Sequence, residues 1–470
     1  MSPVVYLKDN NCGVSNVLEN EMQYDDISHI ANKTIEELLE ENPNLLIFPQ
    51  SLGINKDKIE ELEILHLSGS KDNLKECKVK TGNLMGFIGY GNTQISITSR
   101  FAKNNNTKDD YFLHYLLQKV LCLNIFDLKY SAASFGEFDL LLYMFPALLK
   151  KACAQGLVRK YKTFKNNDAN IKGVVDVTRH IQNNIPFNGR VAYNNRNYTT
   201  DNSITELIRH TIEIIKTKPN GNFVLTSDYE MIECFRIIQE NTPSYSKNDL
   251  SKIVSQNLNQ FVHPFYTEYI PLQKLCLQIL RFEKMNYAQS KDEAYGVVFD
   301  GAWLWEEFLA TVLTGKGLDF THPENKTGSN GIQVYTGNRR YPDFYRGKQT
   351  VPEKMEGNFV LDAKYKHLDV IKNDDILDGS FSRDDLHQLI TYMHILPSKY
   401  GALIYPYDKG FREDTRSKKR TIKGYGGDVW TIGVPIPQNC VSLKDLSSKM
   451  LDSEKYLKKI LHEEIYKACV

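Results

Sequence analysis

An aspartate in Tyr341-Pro342-Asp343, followed nineteen residues later by Asp362-Ala363-Lys364, constrains this chain more than any other feature. The second motif lies in Phe359-Val360-Leu361-Asp362-Ala363-Lys364-Tyr365, which follows the turn signal Gly357-Asn358 and reads as a strand. Successive strand side chains point to opposite faces, so Asp362 and Lys364 share one face. Phe359, Leu361, Ala363 and Tyr365 take the other face and are candidates for burial. A carboxylate and an ammonium are thereby held side by side on a rigid element, as a preorganised site requires.

The residue types fit metal-assisted phosphodiester chemistry. Magnesium prefers oxygen ligands and usually keeps several waters, so one or two carboxylates plus a substrate phosphate suffice. Asp343 and Asp362 are the candidate ligands. A bound cation acidifies water and neutralises charge on the phosphate, and Lys364 is placed to stabilise the attacking and developing negative charge. The same three residues also suit a surface ion pair beside an ordinary turn aspartate.

Two flanking segments favour the first reading. Upstream, Val297-Val298-Phe299-Asp300-Gly301 leads into a segment whose Leu304, Phe308 and Val312, with Trp305 and Leu309, suit a helix packed on a sheet. Glu306 borders that apolar stripe and is a candidate third metal ligand; a solvated helical carboxylate is its plainer alternative. Downstream, Asp384-Asp385-Leu386-His387-Gln388-Leu389-Ile390-Thr391-Tyr392 predicts a helix capped by Ser382 or Asp384. Gln388 and Tyr392 are one turn apart and share a face. Helix with Glu, strand with Asp, strand with Asp-x-Lys and helix with Gln, in that order, resemble the core of the PD-(D/E)xK nucleases.

A wider resemblance is to the McrC family, the nuclease subunits of McrBC restriction systems that cut modified DNA. Gly82-Asn83-Leu84-Met85-Gly86-Phe87-Ile88-Gly89-Tyr90 and Gln94-Ile95-Ser96-Ile97-Thr98-Ser99-Arg100-Phe101 look like the family's β-hairpin. Gly156-Leu157-Val158-Arg159-Lys160-Tyr161, Ile171-Lys172-Gly173-Val174-Val175-Asp176, Arg190-Val191-Ala192-Tyr193 and the stretch from Thr200 to Ile208 resemble later family segments. The similarity runs from about residue 80 to about 435. It departs at Ile204-Thr205, where the family often has Asn-Arg, and over the first seventy or so residues. The resemblance implies Mg2+ as cofactor, a McrB-like AAA+ GTPase as partner, and double-stranded DNA, methylated or unmodified, as substrate. It further implies little activity without the partner, and related two-gene systems cut defined unmodified sequences.

Composition supports a multidomain chain and excludes several classes. At 470 residues there is room for two or three domains with ample core. Net charge is zero, so DNA contact must come from local patches or a partner. The eight cysteines (12, 77, 122, 153, 234, 276, 440, 469) are scattered without CxxC or Cys/His clusters, which points to buried or free thiols in a reducing, cytoplasmic setting. The start, Met1-Ser2-Pro3-Val4-Val5-Tyr6-Leu7, lacks a secretory pattern, and the longest apolar run, Leu140 to Leu149, is too short to span a membrane. Gly86, Gly89 and Gly91 are not followed by Lys-Ser or Lys-Thr, so no P-loop is indicated and GTP is left to the partner.

The predicted fold class is α+β multidomain. It comprises an N-terminal β-rich region (1–105), a central, mostly helical, partner-binding region (106–290) and a C-terminal α/β PD-(D/E)xK endonuclease domain with a mixed central sheet (291–470). Ile27 to Glu41 predicts one amphipathic helix, Lys103 to Asp110 a boundary loop, and Ser442 to Tyr466 a closing helix. Lys409 to Lys423 carries seven basic residues against two acidic ones and is a candidate phosphate-contacting loop. The catalytic candidates are therefore Asp343, Asp362, Lys364, Glu306 and Gln388, with Asp343, Asp362 and Glu306 as metal ligands. The competing readings are a non-cleaving adaptor that activates the GTPase, and a stand-alone nuclease that cuts without GTP.

Overall fold

The computed structural model describes residues 4–43, 45–49, 63–102, 110–121, 137–218, 221–226, 228–285, 293–315, 317–323, 331–335, 338–347, 358–367, 383–408, 417–423 and 426–465. Gly357, Ser382, and the loop residues 103–109 and 409–416 lie outside that set, so the turn, cap and loop expectations placed on them do too. The chain is a mixed α+β protein whose contacts form two compact units, residues 1–137 with 290–470, and residues 138–289.

The first unit holds two five-stranded sheets. One has the order Val4–Lys8, Thr93–Thr98, Leu84–Tyr90, Tyr295–Asp300, Leu46–Phe48. Leu84–Tyr90 and Thr93–Thr98 form the expected antiparallel hairpin. At its turn Gly91 has φ +55°, and a Cβ there would lie 2.4 Å from an Asp26 carboxylate oxygen. That carboxylate accepts hydrogen bonds from the Asn92 N–H (3.1 Å) and the Thr93 hydroxyl (2.7 Å), which fixes the turn to the Glu21–Ser28 helix.

The strand Tyr295–Asp300 joins this sheet beside the hairpin, antiparallel to Leu84–Tyr90. Gly86 (φ +128°) and Gly296 (φ +141°) sit across that pair, and a Cβ on either would meet the opposite carbonyl oxygen at 2.2 or 2.3 Å. These glycines are therefore required by close backbone approach. Asp300 then caps the helix Gly301–Leu313 through the Ala302 N–H (2.8 Å), so the chain passes from sheet to helix without a linker.

One expectation fails in this region. Ile27 to Glu41 is not one helix but two, Glu21–Ser28 and Ile35–Glu41. Between them Asn32 adopts φ +59° and exchanges hydrogen bonds with the Leu67 backbone at 3.0 Å each way. Thr34 and Glu37 close a capping box that starts the second helix afresh.

The second sheet has the order Phe344–Arg346, Phe359–Ala363, Tyr400–Tyr407, Asp428–Pro435, Ser417–Thr421. Its three central strands are parallel and its edges antiparallel. The helix Arg383–Ile395 lies on one face, where Leu389, Tyr392 and Met393 pack with Val360, Leu403, Tyr405 and Val429. Gly301–Leu313 packs against Phe359–Ala363 as well, and Leu443–Lys459, capped by Ser442, packs on Asp428–Pro435. Strands covered on both sides read as continuous apolar runs. In Phe359–Ala363 that run is broken by Asp362, which is 1 % exposed.

The Tyr111–Val120 helix is capped by the buried Asp110, whose carboxylate accepts the Leu113 (3.0 Å) and Ser99 (2.6 Å) backbone N–H groups. Burial pushes its pKa up to about 7, against the pull of those two bonds. Its folded value lies above its unfolded one, so its contribution to stability is full below about pH 4 and is lost as pH rises through about 7. Asp110→Asn keeps one acceptor oxygen for these two N–H groups, so it should cost stability most near pH 4 and less toward pH 8, the difference being a few kcal/mol at most. Thermal unfolding across that range checks this, and a constant gap between the two proteins would refute it.

The second unit is built on the helix Ser203–Thr217, with Glu137–Ala154, Tyr229–Glu240, Leu250–Gln256 and Tyr269–Met285 among its other helices. It also carries a three-stranded sheet in the order Lys160–Asp168, Val191–Thr199, Val174–Val175. Ile204-Thr205 has a local explanation here. The Asn202 side chain accepts the Ile204 N–H (3.0 Å), while the Thr205 hydroxyl accepts the Asn202 N–H (3.1 Å), closing a capping box.

Candidate active site

Asp343 stands immediately before the strand Phe344–Arg346, and Asp362 lies in the strand paired with it. Both are buried, at 7 % and 1 % exposure. Asp343 Oδ2 accepts the Ala363 N–H at 2.8 Å, which ties its carboxylate to the neighbouring strand next to Asp362. The two carboxyl groups are within hydrogen-bonding reach of each other. Burial first, and the Asp343 charge second, push Asp362 up to about 8, with Lys364 acting against both.

Lys364 completes this cluster as strand alternation requires. Its Nζ is 2.6 Å from Asp362 Oδ2, while its backbone N–H continues the ladder to the Ile404 carbonyl at 2.9 Å. Burial lowers the Lys364 pKa, but the surrounding carboxylates, Asp362 foremost, carry it above its ordinary value. The ammonium donates to Gln388 Oε1 at 3.1 Å, and Gln388 Nε2 donates to the Tyr392 hydroxyl at 3.0 Å. The one-turn spacing of Gln388 and Tyr392 thus becomes a direct contact that orients the amide.

Glu306 does not join the two aspartates in one ligand set. It neighbours His322, whose Nδ1 lies 3.9 Å from Glu306 Oε1 and 2.8 Å from the Asp343 backbone oxygen. His322 Nε2 faces Glu307 at 3.6 Å, a charge contact too long for a hydrogen bond. Burial pulls His322 down, but Glu307, the Asp343 carbonyl and Glu306 raise it to about 9. These carboxylates and the carbonyl favour the imidazolium form of His322, which lies between the helix and the Asp343 segment. Among the described residues no three His, Cys, Asp or Glu side chains converge to hold a metal ion, so Asp343, Asp362 and Glu306 are not one cluster.

Three further residues belong to the neighbourhood and escaped the sequence reading. Asp385, 6 % exposed in the first turn of Arg383–Ile395, lies 3.9 Å from Lys364 Nζ. Lys366 grips the same carboxylate at 2.8 and 3.1 Å. Asp385 is three residues before Gln388, so helical spacing already put both on one face. Tyr405 is the third: its hydroxyl is buried without a hydrogen-bond partner among the described residues, and burial first, then Asp385 and Asp362, raises its pKa.

The arrangement fits a divalent cation through its donor set. Two buried carboxylates that repel each other, one of them held near pKa 8, are stabilised together by a hard cation. The basic segment expected downstream is described only in part. Its strand Ser417–Thr421 is a sheet edge, and Lys419 there is held by Asp428 at 2.7 Å. A separate cavity of about 640 Å³ in the second unit, lined by Lys160, Lys162, Lys165, Lys252 and Glu206 among others, contains none of the site residues.

Known proteins share sequence features and fold with this chain. The family described as McrBC 5-methylcytosine restriction system component matches residues 79–406. Among solved structures, the chain resembles one in the refined half-complex from the tetradecameric assembly of Thermococcus gammatolerans McrB AAA+ hexamers with bound McrC. That match has a TM-score of 0.54 at 14 % identity and covers 97 % of this chain and 100 % of the other, a likeness of fold. A chain of the cryo-EM structure of the Thermococcus gammatolerans McrBC complex aligns with TM-score 0.34 at 13 % identity, over 66 % of this chain and 87 % of that one. No curated protein matches this chain in sequence. No helix among the described residues is long and apolar enough to cross a membrane.

Proposed function

The chain belongs to the family of McrBC 5-methylcytosine restriction system components, and we propose that it is the DNA-cutting subunit of such a system, a partner-dependent endonuclease of the PD-(D/E)xK type. The observation that carries this reading is the buried set of Asp343, Asp362 and Lys364, with Gln388 on the lysine. Burying two carboxylates and an ammonium costs several kcal/mol of desolvation, which only full pairing offsets. Structural glue would be served better by apolar residues, as the rest of the strand shows.

Asp343 and Asp362 would hold Mg2+, which supplies charge neutralisation at the phosphate and acidifies water. Lys364 holds a positive charge at the position of the developing anion. Gln388 orients that ammonium and is exposed enough to meet a DNA strand. Glu306 acts through His322, whose bond to the Asp343 carbonyl fixes the loop carrying the first carboxylate. The partner is an AAA+ GTPase of the McrB type, and the substrate is double-stranded DNA of foreign origin, methylated in the 5-methylcytosine-specific case.

Plasmid cleavage by this chain together with a McrB-type GTPase, with GTP and Mg2+, tests the reading on methylated and unmethylated DNA. Cutting is expected with Mg2+ and absent in EDTA. Stimulated GTP hydrolysis with intact DNA would establish the adaptor function instead, and cutting without partner or GTP a stand-alone nuclease.

A further inference from the structure

We propose that Asp385 is a positioning residue of this site: with Lys366 it locks the helix Arg383–Ile395 to the strand end and shares Lys364 with Asp362. The inference rests on the nuclease reading and deepens it.

Three observations converge. The Lys364 ammonium stands between two carboxylates, at 2.6 Å from Asp362 and 3.9 Å from Asp385, so its place is set by both. Asp385 is buried, and a buried carboxylate requires compensation. Lys366 supplies it through two contacts of 2.8 and 3.1 Å while remaining half exposed. Thirdly, Asp385 and Gln388 lie on one face of the same helix, and Gln388 reaches Lys364 at 3.1 Å. Fixing Asp385 therefore also fixes the amide that orients the lysine.

The consequence is geometric. The ammonium already rests on Asp362 at 2.6 Å, so when a cation takes that carboxylate, Asp385 at 3.9 Å is the second carboxylate that can receive it. Held by Asp385, it keeps its charge toward the scissile phosphate. Lys366 acts differently, neutralising Asp385 so that this further carboxylate does not itself compete for the cation.

A merely structural ion pair would behave differently under charge exchange. In the complex with the GTPase, Asp385→Asn should lower the cleavage rate at saturating DNA between about 10- and 100-fold, with the half-saturating DNA concentration unchanged. Asp385→Glu should recover part of that rate. Combining Lys366→Asp with Asp385→Lys rebuilds the pair in reverse, so thermal stability should return while cleavage does not, because a cation now faces Lys364. GTP hydrolysis in the same reactions reports that the complex has assembled. Cutting by Asp385→Asn at the wild-type rate, or restored cutting by the exchanged pair, overturns the proposal while leaving the nuclease standing. Absence of cutting by wild type under the same conditions removes the nuclease reading and this inference with it.

Discussion

Lys364→Ala is expected to cut DNA about 10²- to 10³-fold more slowly than wild type while binding divalent cation at least as well. The two effects separate because Lys364 is near the proposed cation ligands without being a ligand type. Its ammonium lies 2.6 Å from Asp362 and partly neutralises the two carboxylates. Removing it strengthens the local negative field and so favours a cation, but leaves the developing anion without its fixed positive charge. The fold should survive, since Asp362 is already held near pKa 8 and can take up a proton when its lysine is lost. Single-turnover cleavage and Mn2+ titration by calorimetry of the same preparation check both halves. Wild-type cutting by Lys364→Ala would show that the lysine is only the counter-ion of a buried aspartate. Asp362→Ala should instead lose cleavage and cation binding together.

Much of that site was legible because its geometry is periodic. Alternation along Phe359–Ala363 placed Asp362 and Lys364 on one face, and the side chains meet there. Helical spacing joined Gln388 to Tyr392. Other parts were legible in principle and passed over. Thr34-Ile35-Glu36-Glu37 is a capping-box sequence in the middle of what reads as one amphipathic helix, and the local signal outweighs the apolar period. Asp384 and Asp385 look alike in sequence, yet only the second turns inward, because Gln388 and Leu389 set which face meets the strand.

The remainder was beyond local pattern. Tyr295–Asp300 reads as the approach to a helix, but it pairs with Leu84–Tyr90 and Leu46–Phe48, both more than two hundred residues earlier. Apolar periodicity carries no information about which strands meet. The trace it left was a pair of glycines, Gly86 and Gly296, whose meaning appears only once both backbones are in place. His322 had no motif at all, since its role comes from what Gly301–Leu313 and Asp343 bring to it.

Arg100→Ala should cost about 3–5 kcal/mol, the largest stability loss expected of a single substitution here. Arg100 follows the hairpin and closes on Asp9, whose side chain is fully buried. The guanidinium meets Asp9 Oδ2 at 2.6 and 2.9 Å, and the Arg100 backbone N–H donates to the other carboxylate oxygen. Its remaining donors reach the Asn83 side chain (2.6 Å) and the Tyr365 carbonyl (3.3 Å), and its Cζ lies 4.7 Å from the centroid of the Tyr365 ring. Burial raises the Asp9 pKa even with Arg100 present, and Arg100 is the main opposing influence, with His367 a lesser one. Without the arginine, Asp9 stays buried as an uncompensated carboxylate or takes up a proton. A folded pKa above the unfolded one means stability that is full at low pH and lost as pH rises. The deficit of Arg100→Ala should therefore be smallest near pH 4 and grow toward pH 8, and unfolding by denaturant at the two limits measures it. Adding Asp9→Asn should abolish that pH dependence, because the charge that needed compensation is gone. Arg100→Lys should recover only part of the loss, since an ammonium cannot reproduce the planar fork. A deficit under 1 kcal/mol, or one independent of pH, would show that the pair merely breaks even with its desolvation. Because Tyr365 directly follows Lys364, a deficit of the expected size also means that the N-terminal hairpin module holds the strand end of the candidate site in place. Cleavage by Arg100→Ala should then fall even at temperatures where the variant remains folded.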